Sequence, residues 1–369
     1  MSATLTVDVV IAGAGIIGLS LGVELLRRGA SVAVLERDQA MHGASWAAGG
    51  MLAGRDVANP TKLLPLSLRS LELYPGYLAS IAAASGRAIP VRTRYTLHPS
   101  LTGPRIPDAQ LAALAPGLSP HAGPLELLEE DSLDPRDLCV ALPLAFVALQ
   151  GQLLQQTELI RVTEDAAGLA VETSRGILCA THVVDCRGAF AGDCFGERVP
   201  VFPVKGQMVN VGLAPDRLRC VLRTPEFYAI PRGDGRVTVG ATVEKDCFDR
   251  TVAADKIRGI VAKAAAFLPE LQDAPVLETW AGLRPGTPDE LPVLGASAMR
   301  NGWYATGHYR NGILLAPVTA RVLAQAIAGE MSDVALEDFS PRRFAKSNAT
   351  ASKECEAATL DPAGAARRL

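Results

Sequence analysis

The 369-residue sequence has few aromatic residues, no excess of positive charge and no long uninterrupted apolar run. Phe, Trp and Tyr make up 5% of the chain, and the formal net charge at pH 7 is −3. A slightly acidic chain gives no reason to expect nucleic acid or an anionic membrane as a partner. The apolar N-terminal stretch lacks a basic start and is interrupted by Asp8 and Glu24, which argues against a signal peptide or membrane anchor. We therefore expect a cytoplasmic protein.

Cysteine is present, but without the spacing of a metal site or a disulfide framework. The seven cysteines are odd in number, and no two of them form a C-x-x-C pair. This pattern is typical of a reducing compartment and argues against structural zinc, so we expect no metal site. A chain of this length holds either two domains or one large domain.

A strand, a glycine-rich turn and a helix are predicted near the start of the chain. Residues 7–12 are a short apolar run suited to a buried parallel strand. Gly13, Gly15 and Gly18 follow in the order G-x-G-x-x-G, which allows a tight turn, close approach of a pyrophosphate and close packing of the helix. A second predicted strand ends at Glu36, whose carboxylate can accept hydrogen bonds from both ribose hydroxyls. The pattern predicts dinucleotide binding without deciding between FAD and NAD.

Later parts of the chain add further glycine-rich loops beside predicted strands. Gly49 and Gly50 stand among small residues, in a loop suited to a flat, bulky ligand, and Ser45 of the same loop can bond a phosphate. Residues 181–186 are predicted to form a parallel strand beside the first one, leading to Gly188 at the same cofactor. Residues 303–306 predict a last parallel strand before an apolar helix over 313–328, and residues 134–154 predict another apolar helix.

Six pieces of the sequence carry a family resemblance. They are GAGIIG with Glu36, GASWAAGGM, VVDCRGAFAG, PVKGQ, WAGLRPGTPD and GHYRNGILLAP. In this order they resemble the glycine oxidases, a branch of the D-amino-acid oxidase group of flavoenzymes that also includes sarcosine oxidase. The resemblance implies an α/β Rossmann-type FAD-binding domain with an interleaved α+β substrate domain built on a mixed or antiparallel sheet. The expected ranges are 1–85, 135–200 and 285–340 for the FAD-binding domain, 86–134 and 201–284 for the substrate domain, and 341–369 for a C-terminal tail.

The resemblance favours FAD over NAD, because two of its motifs hold the isoalloxazine in that family. The residues expected to bind FAD are Gly13, Gly15, Ile16, Ile17, Gly18, Glu36, Arg37, Ser45, Ala48, Gly49, Gly50, Met51, Gly188, His308, Asn311, Gly312, Ile313 and Leu314. N–H groups at the start of the last helix would stabilise the negative charge of reduced flavin. His308 either supplies positive charge beside the flavin or only packs in its loop. No cysteine lies between Cys247 and Cys355, where sarcosine oxidases attach their flavin, so non-covalent FAD is expected.

Three residues are expected to be catalytic. A guanidinium is a planar, permanently charged match for the carboxylate of a small amino acid. Arg284, expected just past a strand, and Arg310, just before a helix, match family positions in the active site, with Arg284 as the main carboxylate-binding residue. Tyr228 matches a tyrosine of the substrate pocket, although a core aromatic is an equally good interpretation.

The implied reaction is the oxidative deamination of glycine, or of a small or N-substituted glycine. Hydride moves from the substrate Cα to flavin N5, the imine product hydrolyses, and dioxygen reoxidises the flavin to give hydrogen peroxide. The resemblance also implies a homo-oligomer and a supply of imine for the thiazole of thiamine.

Two departures from the family pattern leave the substrate open. Glu226 stands where some glycine oxidases have histidine, and Val243 stands where the family has methionine. A D-amino-acid or sarcosine-type oxidase or dehydrogenase is therefore the nearest alternative. A flavin-binding protein without turnover and an NAD-dependent dehydrogenase are the more distant ones.

Overall fold

The computed structural model describes residues 5–100, 103, 106–165 and 168–345, which form two sheets and the helices around them. The strands are β1 (Thr6–Ala12), β2 (Val32–Leu35), β3 (Val91–Pro99), β4 (Leu125–Leu133), β5 (Gln152–Leu154), β6 (Leu159–Asp165), β7 (Gly168–Thr173), β8 (Gly176–Asp185), β9 (Phe202–Gly212), β10 (Val221–Arg223), β11 (Tyr228–Pro231), β12 (Arg236–Gly240), β13 (Glu244–Lys245), β14 (Val276–Gly286), β15 (Val293–Ala296) and β16 (Gly302–Thr306). The helices are α1 (Ile16–Arg27), α2 (Leu64–Ser85), α3 (Asp108–Leu114), α4 (Pro135–Ala148), α5 (Ala254–Phe267) and α6 (Gly312–Ile327).

The first sheet is mainly parallel and has the strand order β15-β16-β8-β1-β2-β5. β16, β8, β1, β2 and β5 run parallel to one another, so their carboxyl ends lie along one edge, where open α/β sheets bind ligands. β15 is antiparallel to β16. β7 extends the sheet by antiparallel pairing with β8, and β6 pairs in turn with β7. This edge places the glycine-rich turn after β1 beside the loops after β2, β8 and β16.

Both faces of the first sheet are covered, which explains why its central strands are apolar throughout. Val9 and Ile11 of β1 pack with the layer formed by α1, α2, α4 and α6, whereas Val10 packs on the opposite face with β6 and β7. α6 is apolar on almost all sides and is correspondingly buried, packing against α1 and α2. The start of α6 is therefore held firmly at the edge of the sheet.

The second sheet is mixed, with the order β13-β9-β12-β11-β10-β3-β4, and β14 pairs with β9 from Phe202 to Val211, along the edge opposite to β12 and β13. All its described pairings are antiparallel except that of β10 with β3. α5 covers one face through Ile257, Ile260 and Ala264, which pack with Val209 and Val239 of the sheet. The predicted fold class, a Rossmann-type α/β unit with a mixed second sheet, is confirmed.

Some local predictions are confirmed and others are wrong. The helix predicted over 134–154 ends at Ala148, since Gln150 takes a left-handed conformation with φ of 68° and the chain turns into β5. β4 was not predicted, because its sequence LELLEEDSL lacks a clear alternation of apolar and polar residues. The parallel strand predicted at 303–306 is present as β16, which pairs with β8, and β8 lies beside β1 as predicted.

The predicted C-terminal tail begins with residues that pack on the first sheet. Phe344 is buried in the core of that sheet, and the Arg343 Nε donates a 2.8 Å hydrogen bond to the Asp289 carboxylate. Residues 346–369 lie outside the described residues, and the domain boundaries remain a prediction. Among the described residues, no helix is long and apolar enough to cross a membrane, and no group of three acidic, histidine or cysteine side chains is arranged to hold a metal ion.

Candidate functional site

A cavity of about 830 Å³ lies between the ligand-binding edge of the first sheet and the second sheet. It is lined by Arg284, Arg310 and Tyr228 and by every predicted FAD-binding residue except Gly18 and Leu314. Gly18 instead faces the backbone of Gly13, where a Cβ would collide with the carbonyl oxygen. Leu314 is buried in the core on the helix side of the first sheet. The structure therefore brings the dispersed sequence motifs to one place.

The turn after β1 leaves the N-terminus of α1 open to this cavity. Gly13 has φ of +106°, and a Cβ there would lie 2.5 Å from the Cys186 carbonyl oxygen, so only glycine fits. The Ile16 N–H donates a 2.9 Å hydrogen bond to the Ser45 Oγ, which joins the second glycine-rich loop to the helix start. The first turn of α1 contains no acidic residue. Its positive end can therefore accept an anionic group such as a pyrophosphate.

Glu36 lies at the end of β2, as predicted, with its carboxylate held in place by backbone donors. Its Oε2 accepts from the Ala14 N–H and its Oε1 from the Asp38 N–H, each at 3.0 Å. The neighbouring Arg37 guanidinium lies 3.9 Å from the centroid of the Phe190 ring. This end of the cavity combines a fixed carboxylate with an aromatic ring, which suits the ribose and base of a dinucleotide.

The start of α6 supplies a second positive helix end. Gly312 and Ile313 line the cavity, and an α-helix leaves its first N–H groups without intrahelical acceptors. Asn311 precedes the helix, but its side chain donates to the Asn59 Oδ1 at 2.9 Å and does not cap the helix. The first turn of α6 likewise has no acidic residue, so these N–H groups remain suited to a negatively charged ligand group.

These residues fit FAD on three structural grounds. The cavity has two open helix N-termini, a ribose-type carboxylate at Glu36, and backbone surfaces free of side chains. At Gly188, for example, φ is +59° and nothing lies within 4 Å of the position that a Cβ would occupy. When bound, FAD would be held by the residues at these three places.

His308 lines the cavity as a neutral side chain. It is buried, its Nε2 lies 3.0 Å from the Thr319 Oγ1, and burial lowers its pKa to about 3. A histidine with this pKa carries no charge at neutral pH. Of the two interpretations of His308, burial favours the one in which the histidine only packs in its loop.

Arg284 lies inside β14, pairing with Val204 of β9, and not just past the strand as predicted. Its guanidinium lies over Gly206, and its Nη1 donates a 3.1 Å hydrogen bond to the Thr242 carbonyl. Among the described residues, no carboxylate forms an ion pair with Arg284. The side chain is only half-buried, and it thus presents free donors to the cavity.

Tyr228 begins β11 and is both a packed aromatic and a cavity-lining residue. Its hydroxyl lies 3.4 Å from the Met208 Sδ, and its ring lies against Gly49. Burial raises the pKa of Tyr228, an effect that the nearby Arg284 and Arg232 cations oppose. The hydroxyl stays protonated at neutral pH, and its present acceptor, the Met208 thioether, is a weak one that an oxygen of the substrate can replace.

Arg310 lies at the rim of the cavity. It is exposed, and its Nη2 donates a 2.9 Å hydrogen bond to the Ala58 carbonyl. Glu226 also lies at the rim, where its carboxylate pairs with the Lys263 Nζ at 2.7 Å. Val243 is 57% exposed on the same side. Arg310 is therefore far more accessible to solvent than Arg284, although both lie on one cavity.

Sequence reasoning missed the residues that place Arg284. Gly206 provides the space for the guanidinium, and Thr242 provides its acceptor. Gly206 gave a usable signal, because glycine inside a strand often marks the close approach of another group. Thr242 acts through its backbone carbonyl, for which the residue type carries no signal.

The comparisons with known proteins agree with this geometry. A family model described as FAD dependent oxidoreductase matches residues 8–326. The glycine oxidase of Geobacillus kaustophilus is 32% identical over 91% of this chain and 97% of its own length. The crystal structure of glycine oxidase from Geobacillus kaustophilus matches with a TM-score of 0.86 and 29% identity, covering 91% of this chain and 98% of that one.

A bifunctional relative is similar over only part of its length. The bifunctional protein ThiO/ThiG of Trichormus variabilis is 33% identical over 94% of this chain but only 56% of its own length. This chain therefore spans about half of that relative.

Proposed function

Because the chain belongs to the family of FAD-dependent oxidoreductases, we propose that it oxidises glycine, or a small or N-substituted glycine. The observation that carries this proposal is the position of Arg284. Its guanidinium has no carboxylate partner among the described residues, and it lies in the cavity that also holds the start of α6. A half-buried guanidinium with free donors is a binding site for a substrate carboxylate.

The protein's own groups have separate roles in this proposal. Arg284 binds the substrate carboxylate, and the protonated Tyr228 hydroxyl donates a further hydrogen bond to the substrate. The N–H groups of Gly312 and Ile313 stabilise negative charge that develops at the cofactor. FAD, bound without a covalent link, supplies the two-electron acceptor that dioxygen regenerates, with hydrogen peroxide as product. The oxidised substrate is an imine, which water hydrolyses to a 2-oxo acid with release of ammonia, or of the amine when the substrate is N-substituted.

Two residues at the rim influence the charge and the size of the substituent that the substrate can carry. Glu226 is neutralised by Lys263, so it imposes little charge on a substituent of the substrate. Val243 is smaller than the methionine of the family pattern and leaves more room. These two residues support N-substituted glycines such as sarcosine within this proposal, and they support a D-amino acid as the second candidate substrate.

One relative supports a proposal for the biological role. The ThiO/ThiG name of a relative supports a role in supplying the imine for the thiazole of thiamine. We place the protein in the cytoplasm, as a homo-oligomer that takes its amino-acid substrate and dioxygen from solution.

The decisive experiment is a visible spectrum of the FAD-loaded protein before and after excess glycine is added without oxygen. Bleaching of the flavin bands, followed by recovery and peroxide formation in air, is the expected result. Bleaching with sarcosine but not with glycine would narrow the proposal to N-substituted glycines, and bleaching only with D-alanine would transfer it to the second candidate. Bleaching without recovery in air would indicate a dehydrogenase. Flavin bands that persist with all three amino acids would refute the proposal.

A further inference from the structure

Arg232 is a buried cation for which the proposed reaction has no use. It follows β11 and is 3% exposed. Its guanidinium donates three hydrogen bonds, each of 2.9 Å, from Nε to the Thr238 Oγ1, from Nη1 to the Leu133 carbonyl and from Nη2 to the Gly49 carbonyl. All three acceptors are uncharged. The arrangement is unusual, because buried charges are normally paired with an opposite charge.

Asp134, the carboxylate that acts on Arg232, is bonded to other groups. Asp134 Oδ1 accepts from the Arg136 N–H at 3.0 Å as the cap of α4, and Asp134 Oδ2 lies 3.3 Å from the Arg236 Nη2. Asp134 therefore attracts Arg232 from a distance, while Arg136 and Arg236 repel it. Burial lowers the pKa of Arg232 to about 10, so the guanidinium still carries its charge at neutral pH.

The acceptors of Arg232 lie where the cofactor loop meets the second sheet. Gly49 lines the cavity, and a Cβ there would lie 3.5 Å from the Tyr228 ring. The next residue, Gly50, accepts a 3.0 Å hydrogen bond from the Leu133 N–H. Arg232 thus binds both segments of this junction, through the carbonyl oxygens of Gly49 and Leu133. Its charge also reaches the cavity, since it opposes the rise in the pKa of Tyr228.

We propose that Arg232 is a positioning residue of the FAD site, which fixes the Gly49 carbonyl and keeps a positive charge beneath the cofactor loop. The fork geometry of the guanidinium holds the loop in the shape that binds the cofactor. The charge acts through a low-dielectric interior and favours the reduced, more negative form of FAD. The inference rests on the FAD of the family and does not depend on which substrate is oxidised.

The test compares Arg232→Gln and Arg232→Lys by two measurements on the FAD-loaded protein, the dissociation constant of FAD and the midpoint potential of the bound cofactor. Arg232→Gln should bind FAD about tenfold or more weakly, as expected for the loss of a charged hydrogen bond, and should have a lower midpoint potential. Arg232→Lys keeps the charge but loses the fork, so FAD should bind more weakly at an unchanged potential. Neither measurement involves glycine. A result that refutes the role of Arg232 is therefore distinct from a result that refutes glycine as the substrate.

Arg217→Gln is the control, because it removes a partly exposed guanidinium that pairs with Glu270 and is not among the charges that act on Arg232. Both quantities should remain at the parental values in that variant. If Arg232→Gln does not fold, the Arg232→Lys variant is sufficient for the test. Parental FAD affinity in Arg232→Lys would overturn the positioning role. A lowered midpoint potential in Arg232→Lys would overturn the role of the charge. If Arg232→Gln folds and keeps the parental midpoint potential, the proposed effect of the Arg232 charge on the cofactor is overturned.

Discussion

The Tyr74 hydroxyl donates a 2.7 Å hydrogen bond to the carbonyl oxygen of Ile313, in the first turn of α6. Within a regular helix this carbonyl would accept from the N–H of residue 317, but Pro317 has no N–H. Ser70, one turn earlier on α2, donates to the neighbouring Leu314 carbonyl. Side chains of α2 thus complete the start of the helix whose N–H groups face the cofactor cavity.

Replacing Tyr74 with Phe should therefore destabilise the protein and loosen the cofactor site. The substitution leaves the buried Ile313 carbonyl without a donor, at a cost of about 1–3 kcal/mol in the free energy of unfolding. Urea denaturation would measure this loss, and FAD titration would show weaker binding. Tyr77→Phe is the control on the same helix, because the Tyr77 hydroxyl bonds to Ser20 on α1, away from the start of α6. Equal effects of the two substitutions on FAD affinity would contradict the assignment.

Replacing Arg284 with Ala should weaken binding of the substrate carboxylate by about 2–5 kcal/mol, because a charged partner is lost from a largely enclosed site. FAD should remain bound, since the structural contacts of Arg284 are limited to the second sheet. Steady-state kinetics would show a higher KM for glycine. Arg310→Ala should cost no more than about 1 kcal/mol, as is usual for an exposed charge. A parental KM in Arg284→Ala would remove Arg284 from the carboxylate site.

Gly206→Ala should displace Arg284 without replacing it. A Cβ at Gly206 would occupy the space of the guanidinium, which is the movable end of a long side chain. The fold should therefore survive while the substrate KM rises. The control is Gly259→Ala on α5, where nothing lies within 4 Å of the added Cβ. If Gly206→Ala keeps the parental KM, the position of the guanidinium over Gly206 is not important for substrate binding.

The nucleotide-binding half of the fold was predictable because its signals are local. Gly13, Gly15 and Gly18 follow an apolar strand at fixed spacing, and Glu36 ends the next strand. Each of these residues acts within a short βαβ unit, so the order of residues is enough to assign its place.

The substrate side was less predictable because its contacts join distant parts of the chain. Arg232 donates to the carbonyl of Gly49, and Arg284 to the carbonyl of Thr242. Backbone carbonyls are present at every residue, so no sequence pattern marks the one that will be used. Likewise, the solvent exposure of Arg310 depends on where the loop at Ala58 lies, which its own motif does not determine.

His308 should make the stability of the protein depend on pH in the weakly acidic range. Burial lowers its pKa from the usual 6.5 to about 3, so the folded protein keeps the ring neutral while the unfolded chain protonates it. Above about pH 6.5 the ring is neutral in both the folded and the unfolded state, so its titration does not change the free energy of unfolding with pH. As the pH falls below 6.5, the unfolded state binds more protons and the free energy of unfolding decreases. His308→Gln removes this titration, so the difference in unfolding free energy between the parent and the variant should shrink from pH 7 to pH 5. Urea denaturation at several pH values measures this difference, and parallel pH profiles would show that His308 is not buried in its neutral form.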